Sequence, residues 1–365
     1  MDPRTVDAYE ARGHVWVAAS RPRRDADARA LARHVVARAA RVDLGCGAGR
    51  YLDALGPRTV GLDAAGAMLE HCRDAIPGAV LVRADVEALP FGRHVLGGAW
   101  ANMTYHHVPR VRLPMALADL HRAMAPGAAM DLQVLAGSYE GHALPGDEVG
   151  DRLFAGWEPE RLVDVLVGAG FDDVEVDTHD DVVHAVARRA RTLADTVGPG
   201  MRLLVVGLNP SVYAADAGVG FARPGNRFWP AALEAGLVIR DRDPVDALRC
   251  GVGMTDLVKR ATPNASGLTA AEYRTGMARM ERLTRWLAPG ALCFVGLAGW
   301  RAARDPAAAA GLQGGTLGGR PVYVMPSTSG ANAHTTLAAL TAHLRAALAC
   351  PSGFSGIHDD GERVR

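Results

Sequence analysis

An asparagine and a glycine-rich turn stand out as groups that could do chemistry, because each follows a segment with the composition of a buried strand. Asn209 comes just after the apolar run 203–206 and directly before Pro210. A carboxamide in that place can hold a water molecule by hydrogen bonds but cannot take its proton near neutral pH. The turn at 43–49 (Asp-Leu-Gly-Cys-Gly-Ala-Gly) lets the backbone approach a bound molecule closely. Open α/β sheets bind ligands at such strand ends.

Three segments of the second half carry polar and aromatic residues in loop positions. They are 207–210 (Gly-Leu-Asn-Pro), 221–229 (Phe-Ala-Arg-Pro-Gly-Asn-Arg-Phe-Trp) and 325–332 (Met-Pro-Ser-Thr-Ser-Gly-Ala-Asn). In order and spacing, this set resembles the mismatch-specific uracil/thymine-DNA glycosylases over about residues 200–348. The resemblance implies that Asn209 is the catalytic residue, which orients the attacking water.

The same resemblance implies the remaining residues of this site. The implied base-binding residues are Gly207, Leu208, Phe221 and Asn226, with Phe221 stacking on the base. The implied DNA-contact loop consists of Ser327, Thr328, Ser329, Gly330, Ala331 and Asn332. Ala331 stands where relatives of that family have a larger wedge, which weakens the case for strong invasion of the duplex. The expected partner is double-stranded DNA with G·U or G·T mismatches, and uracil, thymine and ethenocytosine all remain open as substrates.

The glycosylase reaction is expected to need no cofactor and to leave the DNA backbone intact. Glycosylases that also cut the backbone usually need an amine that forms a Schiff base. Lys259 is the only lysine of the chain, so a monofunctional enzyme is predicted.

The first half has a second constellation around its glycine turn. Asp63 and Asp85 each end a strand-like segment; the first could hold two ribose hydroxyls, and the second could accept from an adenine amino group. Together they resemble class I S-adenosylmethionine-dependent methyltransferases over about residues 1–190. The implied cofactor is S-adenosylmethionine, and the implied binding residues are Asp43, Gly45, Gly47, Gly49, Asp63 and Asp85. An NAD site and an inactive relic are the alternatives, although the Gly-x-Gly-x-Gly spacing departs from the dinucleotide pattern.

The methyl acceptor is not specified by the sequence. The fourth strand end reads Ala-Asn-Met-Thr-Tyr-His-His over 101–107, without the loop of enzymes that methylate DNA amino groups. His106 and His107 are candidate general bases, because histidine titrates near neutral pH, and packing is an equal alternative for them. The alternative for the whole chain is a small-molecule methyltransferase whose C-terminal half only binds DNA or nucleotides.

Charge and cysteine usage narrow the partners and the compartment. Residues 1–200 carry 22 arginines and 28 acidic residues, a net charge of −6, whereas 201–350 carry 16 basic and 9 acidic residues, a net charge of +7. A basic second half suits a polyanion such as DNA. The five cysteines have no CxxC spacing, so no metal site is predicted. Their odd number and the absence of a signal peptide predict a cytoplasmic protein, and no membrane partner is expected.

The elements that must position these residues alternate as strands and helices, which predicts two parallel α/β sheets. The predicted fold is a Rossmann-like methyltransferase sheet followed by a uracil-DNA-glycosylase-like α/β/α sandwich. The predicted domains are 1–192 and 201–350, with a linker at 193–200 and a mobile tail at 351–365. Strands are expected at 41–44, 59–63, 79–85, 174–176, 182–186, 202–206, 291–295 and 321–325. Helices are expected at 28–40, from 157 to about 168, from a capping box at Thr269 toward Trp286, and from about 335 to 349.

Overall fold

The computed structural model describes residues 1–19, 24–34 and 39–350. These residues divide into two units. The first unit contains the described residues of Met1–Gly198 together with Asn209–Arg223 and Lys259–Ala265. The second contains Pro199–Leu208, Pro224–Val258 and the described residues from Ser266 onward. The domain boundaries proposed from the sequence stay a prediction, and the predicted mobile tail at 351–365 lies outside the described residues.

The first unit is built on a seven-stranded sheet with the order β3-β2-β1-β4-β5-β9-β8. Neighbouring strands from β3 to β5 pair in parallel, and β9 runs antiparallel to both β5 and β8. The short strands β6 and β7 form a separate antiparallel pair. The strands are β1 (Ala40–Leu44), β2 (Thr59–Asp63), β3 (Val80–Arg83), β4 (Leu96–Asn102), β5 (Met124–Leu135), β6 (Glu140–Gly141), β7 (Phe154–Ala155), β8 (Phe171–His179) and β9 (Val182–Arg189).

In this region α3, α4 and α5 connect successive parallel strands, whereas α1 and α2 precede β1 and α6 precedes β8. They are α1 (Pro3–Ala19), α2 (Asp25–Arg33), α3 (Leu52–Leu55), α4 (Gly66–Ala75), α5 (Leu113–Ala123) and α6 (Pro159–Gly168). α6 begins with a proline at its first turn, where the missing N–H costs nothing. The helix predicted over 28–40 was too long, because the described part of it ends at Arg33 and β1 already begins at Ala40.

The second sheet has five strands in the order β11-β10-β12-β14-β13, all parallel except β13. They are β10 (Leu203–Gly207), β11 (Val252–Asp256), β12 (Ala291–Val295), β13 (Gly311–Leu317) and β14 (Arg320–Met325). The predicted strands at 202–206, 291–295 and 321–325 are confirmed. The sequence missed β11 and β13, because Gly253 interrupts the apolar pattern of β11 and because β13 is a largely exposed edge strand with three glycines.

The described residues of the second half contain six helices, and two of these helices begin as the sequence predicted. The helices are α7 (Val212–Ala217), α8 (Phe228–Glu234), α9 (Pro244–Arg249), α10 (Ala270–Leu287), α11 (Leu297–Ala303) and α12 (Leu337–Leu348). The capping box of α10 is present: the Thr269 hydroxyl accepts from the Glu272 N–H at 3.2 Å, and the Glu272 carboxylate accepts from the Thr269 N–H at 2.8 Å. The predicted fold class, two successive α/β regions, is confirmed.

Candidate functional sites

The first candidate site lies at the carboxyl end of β1, beside the point where the strand order of the first sheet reverses. Gly45 has a φ of 66°, and a Cβ atom there would lie 2.3 Å from the Thr104 hydroxyl oxygen. That hydroxyl donates to the Leu44 carbonyl at 2.7 Å and fixes the turn against the segment after β4. Only glycine fits this backbone without strain.

Asp63, the last residue of β2, holds the glycine turn through its carboxylate. Oδ2 accepts from the Gly47 N–H and Oδ1 from the Ala65 N–H, both at 2.9 Å. Burial raises the pKa of Asp63 to about 6, although these backbone hydrogen bonds pull it down. A carboxylate oxygen has more than one acceptor position, so Asp63 can also accept from two vicinal hydroxyl groups.

The other predicted acids of this site differ in burial. Asp43 is 2% exposed, and its Oδ2 has no hydrogen-bond partner among the described residues. Burial, with the Asp63 carboxylate nearby, raises the pKa of Asp43 well above its ordinary value. Asp85 is half-buried beyond the end of β3; its Oδ1 accepts from the Glu87 N–H at 2.9 Å, and its Oδ2 lies 2.5 Å from the Met1 amino group. Gly49, with a φ of 77°, ends the turn against Cys72.

His106 and His107 form a buried pair in a 3₁₀ turn directly after β4. His107 Nδ1 lies 2.6 Å from the Leu153 carbonyl and therefore donates its proton there. His107 Nε2 must then accept, both from the Tyr9 hydroxyl at 3.1 Å and from His106 Nε2 at 3.2 Å. It follows that His106 Nδ1 carries a lone pair, and this atom has no hydrogen-bond partner among the described residues.

The environment of this histidine pair also decides its charge. Burial lowers the pKa of His107 to about 4, despite its hydrogen bond to the Leu153 carbonyl. Burial and the neighbouring ring lower the pKa of His106 well below its ordinary value. Both rings are therefore neutral at pH 7, so each presents an unprotonated nitrogen and neither presents a positive charge.

The second candidate site begins at the carboxyl end of β10, the strand at which the order of the second sheet reverses. Gly207 ends this strand, Leu208 follows it, and Asn209 comes next, half-buried. The Asn209 amide nitrogen donates to Thr262 Oγ1 at 2.7 Å, to the Arg260 carbonyl at 3.1 Å and to the Pro210 carbonyl at 3.2 Å. These contacts fix the direction of the whole carboxamide, including its oxygen.

Phe221 and Asn226 lie in the segment that connects α7 to α8. Phe221 is half-buried and has a φ of 57°, a left-handed backbone that costs a bulky residue energy. Asn226 Oδ1 accepts from the Phe228 N–H at 2.9 Å, just ahead of α8, so this side chain braces the turn. Phe228 and Trp229 are buried and pack edge to face with ring centres 5.4 Å apart, which places both in the core.

The third motif forms a closed loop after β14. The Ser327 hydroxyl accepts from the Ser329 N–H at 3.2 Å, and the Ser329 hydroxyl accepts from the Ala331 N–H at 3.3 Å. Asn332 Nδ2 donates to the Ser327 carbonyl at 2.8 Å and so closes the loop on itself. Thr328 is buried, whereas Ser329, Gly330 and Ala331 are exposed. β10 and β14 both pair in parallel with β12, so the loops that follow them leave the same edge of the sheet.

A model of a known protein family matches a segment in each half of the chain. A family model described as a methyltransferase domain matches residues 42–130, and one described as the uracil DNA glycosylase superfamily matches residues 194–349. The chain contains a methyltransferase domain and a uracil DNA glycosylase superfamily domain.

Solved structures that resemble the chain include S-adenosylmethionine-dependent methyltransferases from two organisms. The protein from Methanosarcina mazei is 16% identical, with 44% of this chain and 97% of that chain covered, at a TM-score of 0.39. The protein from Mesorhizobium loti is 21% identical, with 45% of this chain and 96% of that chain covered, at a TM-score of 0.37.

In the glycosylase superfamily domain, the structure adds two residues to the predicted set. The Thr262 hydroxyl accepts a hydrogen bond from the Asn209 amide and donates one to the Asn264 carbonyl at 2.7 Å. Arg227 joins two motifs: its N–H donates to the Thr328 carbonyl at 2.9 Å, and its guanidinium donates to the Asn332 and Thr335 carbonyls. Its position between Asn226 and Phe228 was the only signal the sequence gave for this role.

Around the first candidate site, the residues missed from the sequence come from α1 and from the segment before β7, both outside the matched residues 42–130. Tyr9 lies on α1 and contacts His107, while Arg152 donates to the Tyr9 hydroxyl at 2.6 Å. Glu10, also on α1, accepts from the Gly66 and Ala67 N–H groups at 2.7 and 2.9 Å, at the first turn of α4. A carboxylate there stabilises the exposed N–H groups of a helix start.

Two further findings concern the described residues as a whole. Within 1–19, 24–34 and 39–350, no group of three or more histidine, cysteine, aspartate or glutamate side chains is arranged to hold a metal ion. Across the same ranges, the longest apolar helices fall short of what crossing a lipid bilayer requires.

Proposed function

We propose that the C-terminal half is a monofunctional DNA glycosylase that removes uracil from G·U mismatches, with thymine and ethenocytosine as further substrates. The observation that carries this proposal is the anchoring of the Asn209 carboxamide. Its NH₂ group is committed to Thr262, Arg260 and Pro210. The oxygen, Oδ1, is thereby aimed in one direction and can accept a hydrogen bond from a water molecule.

The reaction follows from what an amide can and cannot do. The target nucleotide must leave the helix, because C1′ of its sugar is inaccessible to a protein side chain while the base is stacked. Water held by Asn209 Oδ1 then bonds to C1′, and the bond between C1′ and the base nitrogen breaks. The electron pair of that bond leaves with the base, which takes up a proton, while the water loses its proton to solvent. The transition state has oxocarbenium character.

Lys259 supports the monofunctional part of the proposal. Its ammonium group lies 2.7 Å from Asp195 Oδ1, with only 11% of the lysine side chain exposed. A Schiff base requires a neutral amine that can reach the sugar, and a buried ion pair meets neither condition.

Phe221 supplies the stacking surface in this proposal. Its left-handed backbone is a local strain of the kind found at functional sites. Stacking is tolerant of different pyrimidines, which fits a site that accepts uracil, thymine and ethenocytosine. The exposed residues Ser329–Ala331 contact the DNA, and the small Ala331 favours shallow entry into the duplex.

For the N-terminal half, we propose binding of S-adenosylmethionine and methyl transfer to an unidentified acceptor. The residues present fit that cofactor: Gly45 and Gly47, with φ of 66° and 53°, keep the backbone of the turn free of side chains, and Asp43 keeps a buried oxygen without a partner among the described residues. Asp63 would accept from the ribose hydroxyls, and Asp85 from the adenine amino group. The cofactor supplies an electrophilic methyl group. His106 Nδ1, with its lone pair, would take the proton that the acceptor loses.

A labelled G·U duplex tests the glycosylase assignment. The full chain should release uracil and leave an abasic site, so strand breaks should appear only after alkali treatment. Breaks without alkali would contradict monofunctionality. Intact DNA binding without excision from G·U, G·T or ethenocytosine duplexes would instead favour the alternative, a methyltransferase with a DNA-binding half.

Calorimetry with S-adenosylmethionine tests the methyltransferase half separately. Binding heat is expected for the wild-type chain. Its absence would argue for a domain that has lost the cofactor.

A further inference from the structure

The connection after β11 contains an irregular segment opposite Asn209. Hydrogen bonds continue the β10–β11 pairing beyond the strands, from the Leu257 N–H to the Gly207 carbonyl and from the Val258 N–H to the Leu208 carbonyl, both at 2.9 Å. The next such bond joins the Thr262 N–H to the Pro210 carbonyl at 3.1 Å. Between the Val258–Leu208 bond and the Thr262–Pro210 bond, the segment after β10 contains only Asn209. The segment after β11 contains three residues, 259–261. The three-residue segment 259–261 is therefore a bulge, and its Arg260 carbonyl accepts from the Asn209 amide.

The bulge is held from outside the glycosylase motifs by two contacts at Lys259. The Lys259 ammonium pairs with Asp195 at 2.7 Å, and the Asp195 side chain is 3% exposed. The Lys259 carbonyl accepts from the Thr192 hydroxyl. The Asp195 backbone is itself fixed, since its N–H donates to the Gly168 carbonyl at the end of α6 at 2.7 Å.

We propose that Asp195 is a positioning residue for base excision, acting through Lys259 on the Asn209 carboxamide. This inference rests on the proposed glycosylase function. A buried ammonium that loses its carboxylate partner cannot stay in place without cost. Lys259 then turns toward solvent, and the bulge at 259–261 moves with it. The hydrogen bond from the Asn209 amide to the Arg260 carbonyl is lost. The carboxamide can rotate, and its oxygen no longer aims water at C1′.

Single-turnover excision from a labelled G·U duplex by the full chain tests this proposal. Asp195→Asn and Lys259→Met should each slow the rate about 10-fold or more, because small misplacements of a catalytic group cost that much. Binding to a duplex with a tetrahydrofuran abasic analogue should be unchanged. Lys259→Arg, which keeps a positive charge beside Asp195, should retain most of the wild-type rate. The matched control is Glu281→Gln, which breaks an exposed ion pair with Arg285 on α10 and should react like the wild type.

A second measurement separates positioning from simple loss of folded protein. In buffer containing methanol, the sugar is captured either by water or by methanol, which gives a methyl deoxyriboside. This product ratio depends only on molecules that react. Asp195→Asn should raise the methanol share, since the water is no longer selected by an aimed oxygen. A wild-type rate, or a reduced rate with an unchanged product ratio, would overturn the positioning role. Wild-type protein that fails to excise uracil would overturn the glycosylase function itself, which is a different result.

Discussion

The two candidate sites lie at the carboxyl edges of the first and second sheets and are built from different kinds of polar groups. At the carboxyl ends of β1, β2 and β4, the side chains are titratable and buried: Asp43, Asp63 and the histidine pair all have pKa values displaced by burial. At the end of β10, the central groups are the carboxamide of Asn209 and the hydroxyl of Thr262, which do not titrate near neutral pH.

The two edges should therefore respond differently to substitution and to pH. An edge built on carboxylates gains its binding from charge and should depend on pH. At the edge built on an amide, catalysis comes from the direction in which the Asn209 oxygen points, so it should depend on the position of that side chain. Among the residues that would contact the bound molecule, substitutions that alter shape should therefore damage the second edge most, and substitutions that alter charge should damage the first. The Asp195–Lys259 ion pair affects the second edge only through the position of Asn209.

The largest effect is expected at Asn209, where direction is the whole contribution. Asn209→Ala should slow single-turnover excision of uracil by about 10²–10³-fold, since it removes the group that orients the water. Binding to abasic-analogue DNA, measured by fluorescence anisotropy, should be unchanged. If excision persists at the wild-type rate, the contrast between the two edges loses its main support.

Stacking is the next contribution at the amide edge. Phe221→Ala should reduce excision by about 30-fold, which corresponds to about 2 kcal/mol of base stacking. Phe221→Trp is the control and should keep much of the rate, because it retains an aromatic face. An unchanged rate for Phe221→Ala would move the stacking role to another side chain.

Charge should dominate at the other edge. Asp63→Asn keeps the size of the side chain but removes its negative charge, and it should weaken S-adenosylmethionine binding by about 10-fold, as expected for hydrogen bonds to a charged group. Calorimetry on the full chain gives the affinity. Equal affinity would mean that the ribose is held elsewhere.

The smallest predicted effect is the pH dependence of that affinity. The pKa of Asp63 is about 6, and the cofactor needs its ionised form. Binding should be complete well above pH 6 and weaken as the pH falls through 6, by about fourfold between pH 7.5 and 5.5 for one proton. For the stability of the free protein, the sign is opposite. A carboxyl group whose pKa is raised on folding stabilises the folded state fully when the pH is below the ordinary carboxyl pKa. That stabilisation is lost as the pH rises through 6. Excision by the second edge should stay level over the same range.

Features formed by neighbouring residues could be predicted from the sequence, whereas contacts between distant segments could not. The glycine turn, Asp63 and Asn209 were predictable because a strand, its end and the next residue are neighbours in the chain. Thr262 was not, since it lies far along the chain from Asn209 and reaches it through β11, a strand that Gly253 concealed. Tyr9 and Glu10 were missed for the same reason, because nothing in α1 marks the elements it packs against.

The most direct test of the central claim is a structure of the full chain bound to a duplex with an unreactive 2′-fluoro-deoxyuridine opposite guanine. We predict an extruded uridine with a water molecule about 3 Å from Asn209 Oδ1 and on the face of C1′ opposite the base. The Asn209 amide nitrogen should keep its hydrogen bonds to Thr262 and to the Arg260 carbonyl. A carboxamide oxygen turned away from the sugar, with no water between them, would contradict the account.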